Sequence, residues 1–336
     1  MLSASSGYVR QSPTLAGSRE LSLGADAPVH CFAVLLSILS FGLLAIPASA
    51  KTVTVECEEN TISNALKTLD PQANNTVRVI GTCKDAIGIY DFADLTIAGV
   101  ATGGKNAVIN SLNGNAIFWI VGSHVQIKNL TINGGSWGVE CREFSVCRFS
   151  GNTIQNATGN GVQIDSADAT FTGDVIQNNA NYALNMTASR VRVTRVTVKG
   201  TTAGTSGPGN GVEIDSGSTL TVEQLTVQNN QGAGVSLIGG SNLTNRSWAG
   251  PFLVSNNGVG GIWVTEQSSA DLGGATSINN TGGAGVVITG NSEASFWQGG
   301  TFTGNQQLDI YCGPLNGIAA APQLATVGST NCPNTY

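Results

Sequence analysis

Charged and aromatic side chains are scarce in this chain. Of its 336 residues, 11% are charged and 6% are aromatic, and only 9 are prolines. Low proline excludes a proline-rich linker, and 44 glycines without a three-residue period exclude collagen. The formal net charge is -6 and no basic run stands out, so nucleic acid is not an expected partner. With so little charge, the exposed faces must be covered by uncharged polar residues and glycine.

Long hydrophobic runs are also absent, apart from one near the N-terminus. Residues 31–46 read CFAVLLSILSFGLLAI, and the PASA that follows is typical of a signal-peptidase site. A membrane span needs about 20 apolar residues, so we interpret residues 1–50 as a secretory leader, with an uncleaved anchor as the alternative. The sequence therefore predicts a secreted, periplasmic or cell-surface protein with no membrane span once the leader is removed.

Cysteine usage fits an exported protein. Cys31 is one of seven cysteines and lies in the leader, which leaves an even number. Neither CxxC nor histidine-rich spacing is present, and His124 is the one histidine beyond the leader, so a histidine-ligated metal site is excluded. Disulfides are the natural interpretation. The cysteines fall into three local couples, which gives the preferred pairing Cys57 with Cys83, Cys141 with Cys147, and Cys312 with Cys332.

The chain repeats a short segment that begins with a small residue and continues apolar, polar, apolar. Successive starts, from residue 138 to residue 285, are 23, 22, 28, 23, 27 and 24 residues apart, which is a solenoid period. An earlier copy, AIFWIV at 116, precedes the first by 22 residues. Alternation of period two indicates strands. The copies are GVECRE at 138, GVQIDS at 161, ALNMTA at 183, GVEIDS at 211, GVSLIG at 234, GIWVTE at 261 and GVVITG at 285.

A second alternating segment follows most copies and ends in asparagine or glycine. One unit has about three short strands and cannot bury its apolar side alone, so successive units must stack. Asparagine and glycine tolerate a left-handed backbone, and stacked asparagine amides can hydrogen-bond to one another. We predict such a column at Asn156, Asn178, Asn229, Asn256 and Asn280, with Gly200 and Gly304 filling the gaps.

These features resemble the right-handed parallel β-helix proteins of the pectin-lyase-like superfamily, which includes pectate lyases and polygalacturonases. The expected fold is all-β, a single-stranded right-handed parallel β-helix of about 8–10 coils with a short N-terminal capping helix. The segment 61–69 places Ile62, Ala65, Leu66 and Leu69 on one helical face and matches that cap. The expected organisation is a leader at 1–50, an N-terminal cap at 51–76, the β-helix at 77–310 and a disulfide-tied C-terminal cap at 311–336.

Alternation also predicts which residues face outward. In each GVxIx segment we expect the second and fourth residues to point inward and the third and fifth outward. Adjacent coils are about 4.8 Å apart, so Asp165 and Asp215, two coils apart, should lie roughly 9–10 Å from each other. The third-position column is Phe118, Glu140, Gln163, Asn185, Glu213, Ser236, Trp263 and Val287. The fifth-position column is Ile120, Arg142, Asp165, Thr187, Asp215, Ile238, Thr265 and Thr289.

The functional interpretation is a shallow groove on this face. Asp165, Glu213 and Asp215 would perform acid-base chemistry on an acidic polysaccharide. Substrate would be held by Glu140 and Gln163, by Arg142 on a uronate carboxylate, by Asn185 on hydroxyls, and by Trp263 stacked on a ring. No cofactor is expected, although calcium held by Glu140, Asp165 and Asp215 would suit oxygen ligands.

Two other function classes stay open from the sequence. One is a glycan-binding surface protein without turnover, and the other is a structural or adhesive β-helix with a flat polar face. The N-x-D, D-D, G-H-G and R-x-K motifs of the galacturonan hydrolases that this chain resembles are absent. Arg142 is the one base on the predicted face, which leaves lyase chemistry with little support. We therefore expect an exported β-helix acting at a carbohydrate surface, with its enzymatic activity and its oligomeric state undecided and a monomer favoured.

Overall fold

A computed structural model describes residues 49–104, 106–313, 318–320 and 327–333 of the chain. Most of the predicted leader, residues 1–48, lies outside the described residues, as do parts of the predicted C-terminal cap. The described strands form three parallel sheets, A, B and C, and each coil of the solenoid visits them in that order. The sheets contain 12, 10 and 10 strands. Because each coil contributes one strand to each sheet, the number of coils is at or slightly above the predicted 8–10. The predicted fold class is confirmed.

The strands are numbered in chain order. Sheet A consists of β1 (Lys51–Glu56), β2 (Asn74–Ile80), β5 (Asp94–Gly99), β8 (His124–Lys128), β11 (Val146–Ser150), β14 (Asp168–Thr172), β17 (Arg190–Thr194), β20 (Thr219–Val222), β23 (Asn242–Asn245), β26 (Ser269–Asp271), β29 (Glu293–Ser295) and β32 (Ile318–Ala320). Sheet B consists of β3 (Thr82–Asp85), β6 (Ala107–Ser111), β9 (Leu130–Asn133), β12 (Thr153–Gln155), β15 (Val175–Gln177), β18 (Val196–Lys199), β21 (Leu225–Gln228), β24 (Phe252–Ser255), β27 (Ala275–Ile278) and β30 (Gly300–Thr303). Sheet C consists of β4 (Ile87–Tyr90), β7 (Phe118–Val121), β10 (Val139–Arg142), β13 (Val162–Asp165), β16 (Tyr182–Thr187), β19 (Asn210–Asp215), β22 (Ala233–Leu237), β25 (Gly260–Val264), β28 (Val286–Ile288) and β31 (Ile310–Cys312).

Helix α1 (Ile62–Leu66) contacts β1 to β4 at the start of the solenoid. Its N-cap is Thr61, whose side chain accepts a hydrogen bond from the backbone N–H of Asn64. Ile62, Ala65 and Leu66 are buried, so the predicted apolar face covers the first coil. A 3-10 turn, Ser247–Ala249, interrupts the longer connection between β23 and β24.

Alternating apolar residues fill the interior of the coils. In β11 and β14, for example, Phe149 and Phe171 are buried and stack with ring centroids 4.6 Å apart. Such pairs recur because parallel pairing in register places equivalent side chains of successive coils one above another. The result is one continuous core running through all three sheets.

A ladder of buried amides runs along the corner between sheets B and C. The side-chain oxygens of Asn257, Asn280 and Asn305 each accept from the side-chain amide of the asparagine one coil earlier, at 2.9–3.1 Å. The same oxygens accept the backbone N–H of that asparagine, also at 3.1 Å. The predicted amide column therefore exists, but one residue later than expected. The expected Asn156, Asn178, Asn229 and Asn256 have positive φ and precede the ladder, whereas Asn280 belongs to it and Asn279 takes the left-handed position.

A second ladder, which the sequence did not reveal, is built from serine at the corner between sheets C and A. Its hydroxyls accept backbone N–H groups from the preceding coil, as Ser268 does from Ser241 and Ser292 does from Ser268, at 3.1 Å each. Serine hydroxyls can therefore accept hydrogen bonds from buried backbone N–H groups at a corner, as asparagine side chains do.

The predicted disulfide pairing is confirmed. Cys57 bonds Cys83 and Cys312 bonds Cys332, near the two ends of the described solenoid, and Cys141 bonds Cys147 across a turn between sheets C and A. Such bonds are typical of proteins in an oxidising compartment. No helix among the described residues is long and apolar enough to span a bilayer.

Candidate functional site

The outer face of sheet C aligns polar side chains in two columns. Glu140, Gln163, Asn185, Glu213 and Ser236 occupy successive strands at one position. Two residues further along each strand, Asp165 pairs with Thr187, and Thr187 with Asp215. This register places Asp165 and Asp215 two strands apart, which corresponds to roughly 9–10 Å at the usual strand spacing.

The predicted register of the first copy, AIFWIV, is wrong by one residue. Phe118 and Ile120, expected to face outward, are buried and pair with the buried Val139 and Cys141. The outward positions belong to Trp119 and Val121 instead. Both alternating sets in this segment are apolar, so hydrophobic alternation alone could not choose between them.

Arg142 is the centre of a charged cluster at one end of the face. Its terminal nitrogens lie 3.2 Å from Glu140 Oε1 and 3.2 Å from Asp165 Oδ2, and its guanidinium lies 5.5 Å from the centroid of the Trp119 ring. Trp119 in turn meets Trp137, with centroids 6.4 Å apart. Both terminal nitrogens of Arg142 are therefore already paired with carboxylates, and its predicted role as a uronate ligand stays a prediction.

Glu140 is nearly inaccessible, with 3% of its surface exposed. Burial raises the pKa of its carboxyl, Arg142 opposes that increase, and Asp165 adds to it. Glu140 Oε2 and Arg142 Nε are both buried without a hydrogen-bond partner in the described structure.

Glu213 is the second buried carboxyl on this face, 7% exposed. Its Oε2 accepts a hydrogen bond from Asn210 Nδ2 at 2.8 Å. Burial raises the pKa of Glu213, hydrogen bonds from Asn210 and Ser236 lower it, and Asp215 and Glu266 raise it. A carboxyl in this environment can hold a proton at higher pH than an exposed one.

Tyr182 belongs to the site, although the sequence reasoning missed it. Burial raises the pKa of its hydroxyl, and the nearby Glu213 and Asp215 raise it further. Its ring lies against Gly207 in the inserted loop that leads into β19. A signal was present: two copies of the repeat read NGVQID and NGVEID, and the intervening copy has Tyr182 where these have asparagine.

Amide and indole groups continue the polar surface. Gln163 Oε1 accepts from Asn160 Nδ2 at 2.7 Å and from Asn185 Nδ2 at 3.0 Å. Asn185 Oδ1 and Trp263 Nε1 are buried without a hydrogen-bond partner in the described structure. Trp263 lies on the strand after Ser236, so the predicted binding residues do share one face.

The expected calcium ligands do not form a compact group. Glu140 and Asp165 are both paired with Arg142, and Asp215 lies two strands from Asp165. Over the described ranges, no three side chains of His, Cys, Asp or Glu come close enough to hold a metal ion. Calcium binding stays a prediction.

The comparisons with known proteins agree with this architecture. Residues 72–246, more than half of the chain, match the family described as the right handed beta helix region. The chain belongs to this right-handed β-helix family. A search of curated proteins by sequence finds no match.

Two solved structures resemble this β-helix. The A-module of the mannuronan C-5 epimerase AlgE4 of Azotobacter vinelandii is 11% identical, with 77% of this chain and 87% of that chain covered and a TM-score of 0.51. The pectate lyase Pel9A is 10% identical, with 87% and 81% covered and a TM-score of 0.43. At such identities, the resemblance to the epimerase module shows a shared fold.

Proposed function

We propose that this β-helix binds a polysaccharide along the outer face of sheet C and cleaves it with Glu213 and Asp215. The observation that carries the proposal is the buried Glu213 carboxyl, whose pKa is raised, on the same strand as the half-buried Asp215. One protonated and one more solvated carboxyl is the arrangement that divides acid from base in glycoside cleavage.

Each residue has a definite task. Glu213 donates a proton to the departing glycosidic oxygen. Asp215, roughly 6–7 Å away by strand rise, accepts a proton from the water whose oxygen bonds to the anomeric carbon as the glycosidic bond breaks. Asp165 is the alternative partner, at a longer separation. Asn185 and Gln163 hold sugar hydroxyls, and Trp263 supports a ring.

The proposed substrate class is acidic polysaccharide. The epimerase that shares the fold acts, by its name, on mannuronan, a polyuronate. The sheet C face carries Glu140, Asp165, Glu213 and Asp215 with Arg142 as their cation, so this surface repels a polyanion unless some of its carboxyls are protonated. We therefore expect turnover to be highest at acidic pH and to fall as pH rises through the pKa of Glu213.

The test is incubation of the purified protein with pectic, alginate and neutral polysaccharides. Reducing ends alone would identify a hydrolase, and unsaturated products a lyase. Glu213→Gln should lower kcat/KM by about 100-fold or more, the usual contribution of general acid-base catalysis. Asp215→Asn should do the same, while Asp94→Asn, an exposed carboxylate on sheet A, should change nothing.

Unchanged cleavage in both site variants would overturn the catalytic assignment. Asp165→Asn distinguishes the two candidate bases. If Asp215 is the base, Asp215→Asn loses activity and Asp165→Asn retains it, and the opposite result would assign the base to Asp165.

A second candidate function is glycan binding without turnover. It is favoured by the internal hydrogen bonds of the carboxylates, since Asp165 bonds Arg142, Glu213 bonds Asn210 and Asp215 bonds Ser216. Binding of polysaccharide with no product from any polymer would establish this function. Export to the cell surface or exterior, supported by the three disulfides, is part of both proposals.

A further inference from the structure

The outer face of sheet A carries a cluster of arginines on its middle strands. Arg148, Thr170 and Arg192 pair in register on β11, β14 and β17, so the two arginines lie two strands apart, roughly 10 Å. Arg190 lies two residues before Arg192 on the same strand. Three guanidinium groups therefore share one small area of a molecule whose net charge is -6.

These arginines line a groove of about 440 Å³ on sheet A. Threonine hydroxyls from Thr170, Thr219 and Thr221 complete its floor. Guanidinium groups bind carboxylates through two parallel hydrogen bonds, and hydroxyls suit sugar oxygens, so the lining has the chemistry of an acidic sugar chain. We call this surface the basic groove.

The internal ion pairs of the basic groove leave charge available. Arg190 Nε lies 3.2 Å from Asp168, but both side chains are well exposed, so the pair is weak and easily exchanged. Glu223 Oε1 lies 3.7 Å from Arg192 Nη1 and 3.4 Å from Arg246 Nη1, so one carboxylate pairs with two arginines. Arg148 has no ion-pair partner within the described part of the chain. The three arginines of the groove and the nearby Arg246 therefore share only two ion-pairing carboxylates, Asp168 and Glu223.

An exposed aromatic ring extends the basic groove. A neighbouring cavity of about 590 Å³ is lined by Phe144 and shares Val146, Asp168 and Arg190 with the groove, so the two are continuous. Phe144 is 88% exposed and has φ of 61°, a conformation unfavourable for a large side chain. The disulfide between Cys141 and Cys147 closes the turn that holds it. A strained, exposed ring is well suited to stack on a sugar face.

We propose that the basic groove is a second polysaccharide-binding site, which takes the uronate residues of an acidic chain through Arg148, Arg190 and Arg192, with Phe144 stacking on a sugar ring. The choice of polysaccharide as polymer rests on the proposed function. Nucleic acid is disfavoured, because its binding usually neutralises many more phosphates than three arginines can reach. The groove would retain a charged substrate that the acidic face of sheet C repels.

The test is a binding titration of the full chain at about pH 8, where the uronate carboxyls of the ligand carry full charge. The ligands are polygalacturonate, its methyl ester, which has the same backbone without charge, and single-stranded DNA. The Arg148→Gln/Arg192→Gln double variant should bind polygalacturonate about tenfold more weakly at low salt, because two charge-assisted contacts are lost. Phe144→Ala should weaken binding of both pectic polymers several-fold, as stacking does not depend on charge.

The matched control is Arg78→Gln, an exposed arginine on the same sheet that lines neither cavity, and it should bind as the unmodified chain does. Equal affinity of the double variant and the unmodified chain, or equal affinity for polygalacturonate and its ester, would refute the proposal. Tighter binding of DNA than of polygalacturonate would assign the groove to a different partner. Product formation is assayed separately from binding, so failure of cleavage at sheet C and failure of binding at sheet A are distinguishable.

Discussion

Asp174 shows how much a single buried carboxyl can matter in a protein with little charge. It is fully buried at the corner between sheets A and B, where it accepts the backbone N–H and side-chain amide of Asn152 and the backbone N–H of Thr172. Burial raises its pKa to about 6, and these hydrogen bonds limit the increase. Folding therefore favours the protonated form of Asp174.

The raised pKa of Asp174 makes the folded protein less stable as pH rises. The folded pKa of Asp174 is higher than the unfolded value, so its contribution to stability is fully present below about pH 4 and is lost as pH rises through about 6. The free energy of unfolding should fall by roughly 3 kcal/mol from this group between these limits. Urea denaturation at about pH 4 and about pH 7 measures the difference.

In Asp174→Asn the pH slope should shrink, although stability at low pH will also be lower, because Thr172 loses its acceptor. Glu140 and Glu213, whose pKa values are also raised, leave a remaining slope of the same sign. Asp94→Asn, at an exposed site, should retain the full slope. An unaltered slope in Asp174→Asn would assign the effect to other groups.

Single residues also show where sequence reasoning reached its limit. The outward carboxylates Asp165, Glu213 and Asp215 were identified correctly as sharing a face, because strict alternation fixed their direction. Tyr182 was missed because it stands before the alternating segment, where only the pairing with Asn210 reveals its place. The ion pairs of Arg142 could not be predicted, since they depend on side-chain rotamers.

At the scale of elements, the corner ladders stabilise the coils. Asn257 is fully buried and bonds both Asn230 and Asn280. Asn257→Ala leaves several buried polar groups without partners, each at a cost of about 1–3 kcal/mol, so we expect a total loss of about 3 kcal/mol or more. Chemical denaturation measures it.

The neighbouring Asn256 provides the control. It has φ of 55°, and Gly200 and Gly304 occupy equivalent positions, so Asn256→Gly should be nearly neutral. If both variants lost the same stability, the turn conformation rather than the amide ladder would be responsible.

The repeat period and the strand direction were predictable, because burial of one side of every strand imposes alternation. The ladder position was off by one residue in most coils because the turn residue and the ladder residue are both asparagine, as at Asn229 and Asn230 or at Asn256 and Asn257. Serine at the opposite corner gave no recognisable signal, since exposed turns are also rich in serine.

At the scale of the whole molecule, the disulfides differ in the length of chain that they close. Cys57 and Cys83 are separated by 26 residues, and Cys141 and Cys147 by 6. Chain entropy predicts stabilisation of about 3.5 kcal/mol for the longer loop and about 2 kcal/mol for the shorter. Paired Cys→Ala variants should therefore lose more stability at Cys57–Cys83, as measured by denaturation under oxidising conditions. Equal losses would mean that local packing outweighs loop length.

The stacking of coils has a mechanical consequence. The hydrogen bonds between successive strands point along the solenoid axis, whereas the covalent chain runs around it. Tension along the axis would pull these bonds apart a few at a time, beginning at an end, while tension along the strands would have to shear many of them together. The molecule should thus yield at low force along its length and resist force applied across it.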